Sequence, residues 1–405
     1  MRKAVWWGVA LLAILAAAFF ALVPGMVERS MNRVEPTPAV AAQVAKGLPP
    51  PYVLGPIVDL HADTLLWSRD LLSRGERGHV DLPRLQEGDV ALQVFSSVTK
   101  TPRGQNYDAN DGDSDNITPL VIAQLQPVRT WNSLLNRSLW HATRLRRAAA
   151  QSGDQLRLIR TRADLDALLA ERAAKAARFH DNRPAPVGAL LSIEGLNGLE
   201  GDLANLDRLY RSGFRMAGLT HFYDNEVAGS MHGRAKRGLT PFGRQVVARM
   251  EALGMIVDVA HLSHPGLADV LAQARRPVVS SHGGVQATCP VNRNLTDGEV
   301  RGIAATGGVV GIGYWAGAVC STDPAAIARA IMHVRNLVGI DHVALGSDFD
   351  GAVTTAFDTT QLMLVARALR AAGLSQVDIA KVMGGNAIRV LRAGLQPLSP
   401  GPRAG

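Results

Sequence analysis

Cysteine is almost missing from this chain of 405 residues: there are two, Cys289 and Cys320, and no CxxC pair. That scarcity excludes a zinc finger, a thioredoxin-type redox motif and a disulfide-stapled miniature fold, so any metal must be held by histidines and carboxylates. Whether the two thiols pair is open at this level. Aromatic residues are also few, at 5%, and charged residues make up 19%. With 47% hydrophobic residues, these are the proportions of a folded globular chain, which excludes collagen-like, low-complexity and disordered readings. The glycine pairs Gly283-Gly284 and Gly307-Gly308 lack a GxGxxG frame, so no dinucleotide site is expected. Cations outnumber anions by 43 to 35, a net charge of +8. The arginines are scattered, with no recognition helix, RNP motif or aromatic-basic stripe, so nucleic acid is not an expected partner. A positive surface facing anionic lipid or cell-wall material is the simpler account.

What is present starts at the N-terminus. Arg2 and Lys3 precede an apolar run from Ala4 to Val23, about the length an α-helix needs to cross a bilayer, and Pro24-Gly25 ends it. Ala16-Ala17-Ala18 offers a signal-cleavage site, but the run continues through Phe19, Phe20, Leu22 and Val23, which favours an uncleaved anchor. Residues 1–27 are thus expected to be a signal anchor with the bulk of the chain exported: tethered to a bacterial inner membrane with its catalytic part in the periplasm, or secreted there if the signal is cleaved. Residues 28–56, with Pro36, Pro38 and Pro49-Pro50-Pro51, read as a linker, residues 57–395 as the folded body, and residues 396–405 as a flexible tail.

In the body, eight short apolar runs read as strands: Ile57–Leu60, Val90–Val98, Val187–Ile193, Phe214–Leu219, Met255–Val259, Pro277–Ser280, Gly308–Gly313 and His342–Leu345. Amphipathic segments alternate with them, at Ile117–Ala150, Arg162–Phe179, Leu203–Arg211, Pro241–Leu253, Pro265–Ala274, Asp297–Ala305, Pro324–Val338 and Thr359–Ala372. Continuous apolar strands alternating with helices argue for a parallel sheet, and eight units predict a (β/α)8 TIM barrel. Polar residues then fall in a pattern. Most strands hand over to His, Asp or Glu at their C-terminal ends: His61 and Asp63, Glu194, His221, His261, His282, and Asp348 with Asp350, with Tyr314 after the seventh. That is the face where barrels gather their chemistry.

His61 and Asp63 stand two apart on an extended strand end and can reach one cation. Glu194 follows a buried apolar run, where a carboxylate is costly unless a cation or donor meets it. His261 and His282 end successive strands and would sit side by side. Three histidines and two carboxylates exceed what one open catalytic zinc needs, but they fit two metals sharing a bridging carboxylate and a bridging hydroxide. A binuclear hydrolase is the expectation. The acidic stretch 108–115 fails the ligand spacing of a calcium loop and is expected to be a solvated loop near the site mouth.

The motifs VDLHADT (58–64), SIEGLNGL (192–199), LTHFYDN (219–225), IVDVAHLS (256–263), SSHGGV (280–285), NRNLTD (292–297) and GSDFDG (346–351) resemble the membrane dipeptidase (renal dipeptidase) family, zinc peptidase family M19. They span residues 57 to about 392 in family order. The resemblance implies that His61, Asp63 and Glu194 bind one zinc, and that Glu194, His261 and His282 bind another. It further implies that His221 stabilises the oxyanion, Arg293 grips the substrate carboxylate and Asp348 handles the proton of the attacking water, with Tyr314 lining the substrate site; for Asn225 and Asp224 the residues leave two readings open, contact with substrate or the building of a turn. It also implies dipeptide substrates and, in some members, a homodimer. Two rivals use the same residues: a lactonase or N-acyl amino acid deacylase on the same metals, and a non-catalytic barrel kept as a binding domain. The intact ligand set weighs against the latter.

Overall fold

A computed structural model describes residues 2–47, 55–177 and 184–396. Eight parallel strands close into a barrel: β1 (Ile57–Ala62), β2 (Val90–Phe95), β3 (Val187–Ile193), β4 (Phe214–Gly218), β5 (Ile256–Asp258), β6 (Val279–Ser280), β7 (Val309–Ile312) and β8 (Val343–Leu345). Each falls on one of the expected runs. Neighbours in sequence are neighbours in space, β8 returns to β1, and β2 closes directly on β3. Every strand residue is buried, which explains why the runs are apolar throughout rather than alternating. A further short strand, Leu156–Leu158, pairs with the first residues of β3, and β4 pairs with its last.

Helices wrap the barrel, and their starts obey local chemistry. Thr161 and Thr296 form capping boxes with Asp164 and Glu299, while prolines follow the capping residues Thr240, Ser263 and Asp323. The long helix expected over Ile117–Ala150 is two helices, Ile117–Ala123 and Leu134–Gln151, with a 3-10 turn between them. Pro127 lies at that break and has no N–H to continue the ladder.

The N-terminal segment departs most from expectation. Helix α1 runs from Arg2 through Pro24 to Met31, and Val5–Met31 is long and apolar enough to cross a membrane. It is exposed along the apolar run, whereas Pro24, Glu28 and Asn32, spaced by four, are buried against the barrel. Glu28 pairs with Arg69 and, at 2.7 Å, with Arg77, and Asn32 accepts from the Ala352 N–H at 2.8 Å. Residues Arg33–Val34 then pair with Thr354–Thr355, and a second helix, α2 (Pro38–Ala45), buries Val40. The segment expected to be a free linker is therefore packed down as far as Val40, with its buried anion and asparagine partnered on the barrel. The triple proline, residues 178–183 and the expected tail beyond residue 396 lie outside the described residues.

Candidate metal centre

All five expected ligands meet at the C-terminal mouth. The pairing of β1 with β2 shifts register between Asp59 and Ala62, a bulge that turns His61 toward the barrel axis. Its Nε2 lies 3.4 Å from Asp63 Oδ1, 3.6 Å from Glu194 Oε2 and 3.9 Å from Asp348 Oδ1. Glu194, just past β3, is central. One oxygen, Oε1, faces His261 Nε2 at 2.9 Å and His282 Nε2 at 3.1 Å, and the other faces His61 and, at 3.5 Å, His221 Nε2. The backbones of His261 and Asp348 are left-handed, with φ of 64° and 59°, a strain of about 1–3 kcal/mol each that is found where geometry is dictated by function.

Two carboxylates beneath the cluster hold it in place. Asp258 accepts from Ser281 Oγ at 2.6 Å and from the backbone N–H groups of Ala260 and Ser281. The Ser281 hydroxyl, its proton committed to Asp258, accepts from His282 Nδ1 at 2.9 Å and so leaves His282 Nε2 turned to Glu194. Asp59 likewise takes the Ser347 N–H at 2.8 Å, and Ser347 Oγ donates to the His61 carbonyl. Sequence reading missed both supports, although each lies within three residues of an expected ligand.

The electrostatics suit a cation. Burial drives the Asp63 carboxyl up to about 7, aided by the Glu194 charge beside it. Burial and the neighbouring Asp63 and Glu194 also hold Asp348 well above the usual carboxylate range. Glu194 itself is held low, because the charges of His221 and His61 outweigh its burial. His261 and His282 are pushed well down, by burial first and then by nearby cations, Arg293 in both cases. His61 goes the other way, its burial outweighed by the Glu194 and Asp63 charges that hold it well above its ordinary value; a cation set among these crowded carboxylates would displace such protons. Three overlapping clusters could each hold an ion: His61–Glu194–His282, Glu194–His221–His261 and His61–Asp63–Asp348. Buried His61 Nε2 and Asp63 Oδ1 have no hydrogen-bond partner, as expected of atoms kept for a metal.

Above this floor opens a cavity of about 740 Å³, reached by Asp63, Glu194, His221, His261, Arg293 and Asp348. Arg293 is buried, donates to the His282 carbonyl at 3.0 Å and lies 5.6 Å from the ring of Trp315. Gly283 lets it approach: a Cβ there would stand 2.9 Å from the guanidinium. Of the GSDFDG carboxylates, Asp348 faces the cavity, while Asp350 turns away to Thr64 Oγ1, Arg69 and the His79 N–H.

Neither Tyr314 nor Asn225 is among the residues that line this cavity. The Tyr314 ring packs between Phe349 and Phe357 in the core, and it is the next side chain, Trp315, that reaches the cavity. Asn225 is spent on the backbone, donating to the Leu219 carbonyl and accepting from Val227 and Ala228. Asp224 caps a neighbouring turn through Ser230, Ala235 and Lys236. Trp315 and Tyr107, whose hydroxyl accepts from the Trp315 indole at 2.9 Å, were not anticipated as site residues. Cys289 and Cys320 form a disulfide that ties the loop carrying Arg293 to the turn following Trp315.

The membrane dipeptidase model of peptidase family M19 matches residues 53–396. The chain belongs to this family. Dipeptidase aclJ of Aspergillus oryzae is 30% identical over 360 residues, covering 83% of this chain and 77% of its own length. Dipeptidase tcpJ of Claviceps purpurea is 29% identical over 327 residues, 78% of this chain and 69% of its own. Among solved structures, the M19 dipeptidase AC superposes with a TM-score of 0.65 at 25% identity, covering 84% of this chain and 99% of that one. A metallo peptidase from Rhodobacter sphaeroides, liganded with a phosphinate mimic of the dipeptide L-Ala-D-Ala, gives 0.63 at 26% identity with the same coverage. Membership in M19 makes this chain a hydrolase of the metallodipeptidase type, with a family-wide use of metal that its donor set fits.

Proposed function

We propose that this protein is a binuclear zinc dipeptidase, which hydrolyses the single amide bond of dipeptides at the outer side of a bacterial inner membrane. The observation that carries the reading is Glu194, whose two oxygens face two separate groups of histidines. His61, Asp63 and Glu194 would hold one zinc, and Glu194, His261 and His282 the other. When bound, zinc lowers the pKa of water toward neutrality and polarises a carbonyl.

The chain's own groups supply the rest. Arg293, already desolvated and stacked near Trp315, offers its fork of N–H donors to the substrate carboxylate, fixing the scissile amide a short reach from Glu194. His221, within 3.5 Å of Glu194, donates to the carbonyl oxygen as negative charge develops there. Asp348 takes the proton of the attacking water and passes it toward the leaving amine. Export of the body agrees with the apolar α1 and with the disulfide, which persists in oxidising compartments. Release of free amino acids from a dipeptide panel by the zinc-loaded protein tests the proposal. Silence on every dipeptide, with cleavage of lactones or N-acyl amino acids instead, would contradict it.

A further inference from the structure

The family match begins at residue 53, yet the cavity over the metal centre is walled in part by residues before it: Val27 and Met31 from α1, and Arg33 beyond it. Val27 packs on a small hydrophobic cluster of its own, made by Leu66, Trp67, Val98, Ile117 and Val121 with Leu120. Most of these side chains also line the cavity. The docking is specific, since Glu28, between Val27 and Met31, is buried in its ion pairs with Arg69 and Arg77. The cavity thus has a polar, charged floor and a largely apolar outer wall, to which α1 adds Val27 and Met31.

We infer that the last two turns of α1 complete an outer subsite that selects dipeptides bearing a large apolar side chain on the amino side of the scissile bond. The inference rests on the dipeptidase reading. Arg293 at the floor takes the carboxylate end, so the amino-terminal residue points outward, toward Val27, Met31, Leu66, Ile117 and Leu120. At about 740 Å³ the cavity lies toward the upper end of the roughly 300–1,000 Å³ typical of ligand sites, more than two small residues fill. Apolar side chains gain free energy by leaving water for such a wall, and glycine gains none.

The test uses the full chain in detergent micelles, loaded with zinc, on Gly-Ala, Ala-Ala, Leu-Ala and Phe-Ala. The expected result is a kcat/KM at least tenfold higher for Leu-Ala or Phe-Ala than for Gly-Ala. The double substitution Val27→Asn with Met31→Gln should cut that ratio at least fivefold, through KM rather than kcat. The conservative Met31→Leu should retain it, which separates lost contact from lost folding. A second readout needs no turnover: calorimetric binding of leucyl and glycyl phosphinate dipeptide mimics should show the same selective loss. If no dipeptide is cleaved, the dipeptidase reading falls and the binding ratio alone decides the subsite. A Leu-to-Gly ratio unmoved by the double substitution in both measurements overturns the inference.

Discussion

The floor of the cavity and its outer wall are built on opposite terms. The floor is polar, deeply buried and assembled from strand ends, with strained backbone at His261 and Asp348 and with His61 Nε2 and Asp63 Oδ1 left without a hydrogen-bond partner. The wall is apolar, closed by the end of a helix far away in sequence, and unstrained at Val27 and Met31. Chemistry dictates each atom of the floor, so changes there should act as switches. Packing dictates the wall, so changes there should be graded.

The largest effect should come from the floor. Glu194→Gln removes the charge between the two groups of histidines, and kcat/KM should fall by about 10³-fold or more, with metal lost on dialysis. Initial rates and elemental analysis check this, and a variant that keeps its metal and rate would erase the distinction drawn here. Next, Arg293→Met should raise KM for dipeptides by about 10²-fold with a smaller change in kcat. Comparison with an uncharged amide or lactone sharpens the point, because those substrates lack the carboxylate and should be nearly indifferent.

On the wall side, Glu28→Gln leaves Arg69 and Arg77 without their buried anion, although Arg69 keeps Asp350. A loss of about 1–3 kcal/mol is expected, read as a lowered Tm and faster proteolysis around residue 31. An unchanged Tm would mean that α1 is not docked in solution. At neutral pH the smallest effect concerns His141, which belongs to neither region and acts only as the solution is acidified. Burial first, then Arg144 and Arg137, push its pKa down to about 3, against about 6.5 when unfolded. Between those values the unfolded chain binds one more proton, so this group's contribution is full above about pH 6.5 and is lost as pH falls toward 3, by about 1.4 kcal/mol per unit. His141→Gln should flatten that part of the stability profile. Denaturant unfolding at pH 4, 5, 6 and 7 measures it.

The same contrast explains what could be read from the residues alone. The eight strands were legible because both faces are buried, and apolar runs bounded by turn residues say so locally. The gathering of His61, Asp63, Glu194, His261 and His282 at one mouth was legible because each stands within three residues of the end of such a run. Which way Tyr314 and Asn225 face was not legible, because neighbouring side chains can point to opposite sides, and nothing in GIGYW tells whether the tyrosine or the tryptophan faces the cavity. The supports Asp59 and Asp258 were hidden inside strands that read as apolar. Docking of residues 28–40 was invisible, since Glu28 meets Arg69 and Arg77 only through the tertiary fold. The disulfide was equally out of reach, its cysteines being 31 residues apart.

The central claim is that Glu194 sits between two metal sites that together drive dipeptide hydrolysis. Zinc content per chain, measured alongside dipeptide turnover on the full-length protein before and after chelation, tests it most directly. The account predicts about two zinc ions per chain, with activity lost on chelation and restored by zinc. A chain that hydrolyses dipeptides equally well after its metal has been stripped would contradict it.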